Sequence, residues 1–464
     1  MKKYLLSFLI CILALPLFLV GCTPAPLLNS PTETADFKTI GSALKYDNYI
    51  YFANAFQSSS SMEDGYDAKN TAIKRIAVDA NNTITVDEET SLPTGQEDVI
   101  AKVVGSEYTF MYSSGKYIYF AAPSQEINPA THGEHFYNYN EYFRISTDGT
   151  GLTKFYTSNN SISQQTVLKI DGKEYLVLAN GTELVKIELG DKISKPVVLA
   201  KDFSSVIFAK SYAQEGDQVA YYTTALPEGE EYIGQTGNLL YGVDIISEES
   251  ILKDDDNEPK PLNATKVRTI TLKHIENGHL FFTIKEQVAG TELDEIYVVL
   301  TSVDGFTYSE IQSGLSSISG FDVSLGENNK EYYIFTDTNA GTYAFESGNK
   351  EPADSKLLDE EIKILFTSGD YIYFVYKDTD LNAKGMHRIA IRGTNPQVEV
   401  INNVSDYKDT NITFDGTYVY FFALNADNTT GTYYMHRSRV DINQANTQLL
   451  STLLDDDKPQ TEEE

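Results

Sequence analysis

SGDYIYFVYKDTDLNAKGMHRIAIRG, residues 368–393, holds a tight turn (Ser368-Gly369-Asp370), a Tyr-Ile-Tyr-Phe run, a polar link carrying Asp378, Asp380 and Asn382, and a second apolar run, Met-His-Arg-Ile-Ala-Ile. Two β-prone runs joined by a polar link of variable size read as two antiparallel strands. Gly and Asp in the turn tolerate the positive φ that a tight, right-twisted strand reversal requires. A further strand, KILFTS (363–368), therefore enters the turn antiparallel to the aromatic run.

The same phrase recurs along the chain. YIYF follows Asp47-Asn48 and Ser114-Gly115-Lys116, EYLVL follows Asp171-Gly172-Lys173, and QVAYYT follows Glu215-Gly216-Asp217. HLFFT follows Asn277-Gly278, EYYIF follows Asn328-Asn329-Lys330, and TYVYF follows Asp415-Gly416. Behind each comes a second apolar run, often with a basic residue: IKRIAV (73–78), YFRIST (142–147), LVKIEL (184–189), LLYGVDI (239–245), IYVVLTS (296–302), TYAFE (342–346), MHRIAI (386–391) and MHRSRV (435–440). Runs such as TFMYS (109–113), VLKI (167–170) and NITF (411–414) precede the turns, and PVVLA (196–200), VEVI (398–401) and QLL (448–450) close the units. The unit is thus four strands long.

The aromatic runs are apolar at nearly every position, so both faces of each small sheet must be covered. Self-similarity every 40 to 70 residues with four strands per unit is the pattern of blades set radially, each packing against its neighbours. The expectation is an all-β chain: a β-propeller of about eight four-stranded antiparallel blades over residues 40–454, with seven the alternative count. Two packed β domains of four units each are the rival architecture.

Units of the form Asp-Gly-x-x-Ile-Tyr-Phe, a spacer and x-x-Arg-Ile, as in FDGTYVYFFALN and SGDYIYF…MHRIAI, resemble the propeller repeats of bacterial extracytoplasmic lipoproteins. Those repeats are distantly similar to the propeller of the low-density-lipoprotein receptor. The resemblance spans most of residues 40–454 and implies fold. The chain has no Trp, a departure from the receptor type, so the resemblance carries nothing about receptor ligands.

The N-terminus reads as an export signal over residues 1–21, with Lys2 and Lys3 before an apolar run. Leu19-Val20-Gly21-Cys22 resembles the bacterial lipobox, which implies a diacylglyceryl group on Cys22 and a membrane as partner. Two acyl chains suffice for stable anchoring. An uncleaved membrane helix is the alternative, and both place the body outside the cytoplasm. Residues 22–39, rich in Pro, Ser and Thr, read as a flexible tether, and residues 455–464 as a disordered acidic tail. Cys11 and Cys22 are the two cysteines, so the processed chain has no free thiol for a disulfide, a Cys nucleophile or a Cys-bearing metal site. A formal net charge of −31 repels nucleic acid, which is excluded as a partner.

Chemistry is sparse. No Gly-x-Ser-x-Gly elbow and no phosphate-binding Gly-rich loop is present. His132 and His135, with Glu134 between them, form a short His-x-x-His that suits Zn²⁺ but lacks the helical frame of a metallohydrolase. Asp378, Asp380 and Asn382 alternate oxygen ligands as a Ca²⁺ loop begins, yet the closing bidentate Glu is missing. Tyr137, Tyr139 and Tyr142 could stack on a sugar. His387 and His436 occupy equivalent positions in adjacent units, which argues for a packing role. No catalytic residue is assigned and no cofactor is expected beyond Ca²⁺ at such a hairpin loop. The expected function is a membrane-anchored, non-catalytic propeller binding an unidentified protein, peptide or glycan across the loops at one end of its channel. The alternative is an extracytoplasmic carbohydrate-active enzyme using Asp/Glu in the funnel.

Overall fold

The computed structural model describes residues 41–453 apart from internal intervals, of which the longest are 58–71, 104–108, 125–139, 210–217, 301–306, 349–355, 378–384 and 425–430. The segments expected to be signal, tether and acidic tail lie outside the described residues. Among the described residues every regular element is a β-strand, and the strands form eight antiparallel sheets, six of them four-stranded.

All eight aromatic runs become the second strand of a sheet, from Tyr49–Ala53 to Tyr418–Leu424, and all eight runs behind them become the third, from Ile73–Ala77 to Thr432–Arg439. The turn chemistry accounts for the registers. Asp171 and Gly172 both take positive φ, 52° and 75°, and this lets Ile170 pair directly with Lys173. At the eighth turn Asp415 Oδ1 accepts from the amides of Thr417 and Tyr418 at 2.9 and 2.7 Å, so its side chain closes the reversal that Gly416 opens.

First strands of consecutive sheets touch one another: Ala43–Tyr46 meets Met111–Ser113, and Thr269–Glu276, Ile318–Leu325 and Ile362–Ser368 follow in series. First strands are therefore innermost, and fourth strands form the rim. The core shows why the sheets cannot stand alone. Along the second strand of the third sheet, Leu178 packs with Tyr119 and Tyr142 of the second sheet, while Val177 and Ala179 pack with Tyr221 and Leu240 of the fourth. The relay continues through Phe281 with Phe335, Ile334 with Phe374 and Tyr373 with Phe421, and returns through Tyr420 and Phe422 to Ile50 and Phe52. The ring is closed, as the two-sided apolar pattern requires, and each large side chain so buried contributes about 1.5–3 kcal/mol. The stacked two-domain alternative is thereby excluded.

Closure joins the first repeat to the eighth. In the eighth sheet the outer edge of Thr432–Arg439 is divided between Gln448–Leu449, which pairs at His436 and Arg437, and Ala55–Gln57 from the first repeat, which pairs at Tyr434, Tyr433 and Thr432. A polar clasp fixes the join. Asn54 Nδ2 donates to Thr452 O at 3.0 Å and Thr452 N donates back to Asn54 Oδ1 at 2.9 Å, while Ser451 Oγ donates to Asn54 O. The fourth sheet departs from the repeat with three strands. Its outer edge is covered instead by Ile251 N donating to Gly242 O at 3.0 Å and Leu262 N to Leu240 O at 2.7 Å, which leaves no open ladder there.

Candidate functional site

Because every sheet runs antiparallel in chain order, all second-to-third links and all passages to the next sheet leave from one face of the ring. First-to-second turns and third-to-fourth links occupy the other. Second-to-third links of ten residues or more occur in four sheets: 54–72, 124–139, 226–237 and 377–386. On the opposite face the links of ten residues or more are 78–95 and 208–218, the first closed locally by Asp79 and Asp87, whose carboxylates cap backbone amides at 2.7–3.0 Å. These hydrogen bonds hold both carboxyls below the usual range.

His132, His135, Tyr137 and Tyr139 lie outside the described residues, as do Asp378, Asp380 and Asn382. Their attachment points are described. Pro123 and Asn140 pair at the base of the first link, and Tyr376 and His387 end the strands that bound the second. Both links depart from the same face, which the linear sequence does not reveal. Among the described residues no group of three or more His, Cys, Asp or Glu is arranged to hold a metal ion.

Tyr142 is a correction. It lies in the third strand of the second sheet with 1% of its surface exposed, its ring 5.7 Å from that of Tyr156 and 6.3 Å from that of Phe155. Its hydroxyl donates to Gln165 Oε1 of the next sheet at 2.7 Å, and burial pushes its pKa upward. It joins two blades and is not offered to a sugar.

One arginine in each of four third strands is an internal strut. Arg75, Arg144, Arg388 and Arg437 stand opposite Tyr51, Tyr119, Tyr373 and Tyr420. Each guanidinium lies over the first Tyr of its aromatic run, at 3.9 Å for Tyr49, 4.5 Å for Tyr117, 4.5 Å for Tyr371 and 4.1 Å for Tyr418. Three then reach the fourth strand: Arg75 Nε to Glu97 at 2.8 Å, Arg388 Nε to Glu399 at 2.7 Å and Arg437 Nε to Gln448 at 2.8 Å. Arg144 reaches instead to Asp191 O of the following sheet at 3.0 Å, and Lys186 takes Ile245 O of the sheet after at 2.7 Å. Burial pushes the Tyr51 and Tyr119 hydroxyls up to about 12. The recurring Tyr-x-Tyr and the Arg opposite it were visible in the sequence; that they consume one another was not.

His387 and His436 are buried and stack on the aromatic residue opposite, 5.7 Å from Phe374 and 6.1 Å from Phe421. Burial lowers both, and His436 to about 4, so at neutral pH they are uncharged packing residues. On the face of the long links, Lys363 pairs with Asp409 at 2.8 Å and Lys377 with Glu361, and Lys377 holds the Glu361 carboxyl below its ordinary value. The displaced carboxyls of Asp191 and Asp441 also move downward, toward Lys116 and Arg439 respectively. Acids so displaced are held ionised, the opposite of what a proton donor to a glycosidic oxygen requires.

No protein-family profile matches the chain, and no curated protein sequence does. Solved structures that are similar include the Dos1 propeller (11% identity over 89% of this chain and 95% of that one, TM-score 0.45). Also similar are an oligogalacturonate lyase in complex with manganese (10% identity, 86% and 97% covered, TM-score 0.44) and TolB from Acinetobacter baumannii (12% identity, 72% and 65% covered, TM-score 0.30). The chain spans just under two thirds of that TolB structure's length. The propeller assignment rests on the sheet topology above, and at these values the likenesses carry nothing about ligand or activity.

Proposed function

We propose that this chain is a non-catalytic β-propeller, held to a membrane through a diacylglyceryl group on Cys22, that binds a protein, peptide or glycan across the long second-to-third links of one face. The observation that supports this most is the division between faces. Four second-to-third links of ten residues or more leave one face, 54–72 carrying the closing strand Ala55–Gln57 as well, against two links of that size, 78–95 and 208–218, on the other. Functional loops on a rigid scaffold have that distribution. The repeated ionisable groups are meanwhile spent on struts between strands and blades.

Capture of glycans and purified envelope proteins by the protein lacking residues 1–22 tests the binding role. Replacing 125–139 and 378–384 by short turns removes capture if that face binds; unchanged capture overturns the assignment. Shortened glycans or unsaturated sugar products in the same assay would establish the carbohydrate-active alternative instead. Fatty-acid labelling of the full chain against Cys22→Ala tests the anchor, and label retained in the variant refutes it.

A further inference from the structure

His274 breaks the repeat. In five other sheets the first-strand residue opposite the third position of the aromatic run is Leu44, Tyr112, Ile207, Phe366 or Thr413. In the fifth sheet, His274 stands there opposite Phe281. The sixth sheet departs too: opposite Ile334 it carries Asp322, where the second and seventh sheets place Ser113 opposite Ile118 and Thr367 opposite Ile372. The two departures meet. His274 Nδ1 lies 3.5 Å from Asp322 Oδ1, across the junction between the sheets, and Nε2 lies 3.5 Å from Glu276 Oε2. His274 is 3% exposed and neither ring nitrogen makes a hydrogen bond among the described residues. Its ring sits 6.2 Å from both Phe281 and Phe321.

We propose that the junction of the fifth and sixth sheets is an acid-tightened seam in which protonated His274 bridges Glu276 and Asp322. A neutral imidazole has one N–H and one lone pair, so it can satisfy only one of two ionised carboxylates and turns a lone pair toward the other. Adding a proton makes both nitrogens donors, and both contacts become charge-assisted. Because the carboxylates lie at opposite nitrogens, a single metal ion cannot gather all three groups. The other titratable groups on the strands that meet here are Lys273, His279, Lys285, Glu286, Glu331, Tyr332, Tyr333 and Asp337, and Asp322 Oδ1 also accepts from Val323 N at 3.0 Å. Lys273 Nζ donates to Ile318 O at 2.8 Å, His279 lies 6.4 Å from Phe281 ring to ring, and Tyr333 donates to Glu331 at 3.1 Å. Ser205–Ile207, the inner strand of the fourth sheet, brings no titratable side chain.

Hydrogen exchange of the mature chain at pH 7.5 and 5.5, corrected for intrinsic rate, reads the seam. Protection of Thr269–Glu276 and Ile318–Leu325, relative to Ile162–Ile170 in the third sheet, rises several-fold at the lower pH. His274→Gln, which keeps hydrogen-bonding capacity without a proton switch, and Asp322→Asn both flatten the rise. A wild-type ratio that stays level or falls overturns the proposal, as does a rise that persists in His274→Gln. Nitrogen NMR of the labelled imidazoles in wild type stands independent of any variant's folding: His274 still neutral at pH 5.5 is equally decisive against it.

Discussion

Arg437 holds its guanidinium 4.1 Å above the ring of Tyr418 while its Nε donates to Gln448 at 2.8 Å, so one side chain ties the second, third and fourth strands of the eighth sheet together. Arg75 and Arg388 repeat the arrangement in the first and seventh sheets.

Arg75→Met therefore destabilises the ring. It removes a cation–π contact and a carboxylate partner from a residue 1% exposed, and the expected loss is about 3 kcal/mol. Arg75→Lys recovers only part, since an ammonium cannot match the planar fork. Arg439→Met, at the exposed pair with Asp441, leaves the urea midpoint unchanged within error. Equal shifts in the two Met variants would remove the strut role.

Asn54→Ala opens the clasp. Asn54 is fully buried and exchanges hydrogen bonds with Thr452, so truncation leaves buried polar groups unsatisfied at about 1–3 kcal/mol. Faster hydrogen exchange should appear in the first and eighth sheets together, with the fourth and fifth unaffected. A uniform change around the ring would contradict local closure.

His436 sets a pH dependence. Burial lowers it to about 4 from 6.5, so between those values the unfolded chain binds a proton that the folded chain does not, and stability falls as pH drops. The contribution is complete above pH 6.5 and its loss toward pH 4 reaches roughly 3 kcal/mol. His436→Phe flattens that part of the stability profile. An unchanged slope would mean that His436 is protonated in the fold.

Gly341 and Gly416 separate crowding from backbone strain. Both have positive φ, 99° and 94°, but a Cβ on Gly341 would sit 2.3 Å from Leu358 O, whereas one on Gly416 meets nothing within 4 Å. Gly416→Ala costs about 1–2 kcal/mol from its conformation alone. Gly341→Ala costs visibly more, because backbone must move, and similar thermal midpoints for the two would argue against the close approach of the third and fourth strands.

Much of the fold was legible because its decisive interactions are local: a turn, an aromatic run and its partner strand lie within one repeat, as Tyr371 to Ala390 shows. What escaped was non-local. Nothing in Ala55-Phe56-Gln57 announces a partner at Tyr433 and Tyr434, and the covering segment over the fourth sheet has no strand-like pattern. Tyr142 was misjudged because a run apolar on both faces gives no hint which tyrosine points inward. His274 was passed over since a single histidine carries no motif; only the register, which places it against Asp322 of the next repeat, gives it meaning.

The divided edge of Thr432–Arg439 has a temporal side. Synthesis delivers Ala55–Gln57 well before its partner Thr432–Arg439, so in that interval the first repeat waits as one end of an open arc. Any product that stops before residue 432 lacks the surface on which that end docks. Completion of the circle thus waits until residues 432–434 are in place, and a shorter product keeps two unsealed edges.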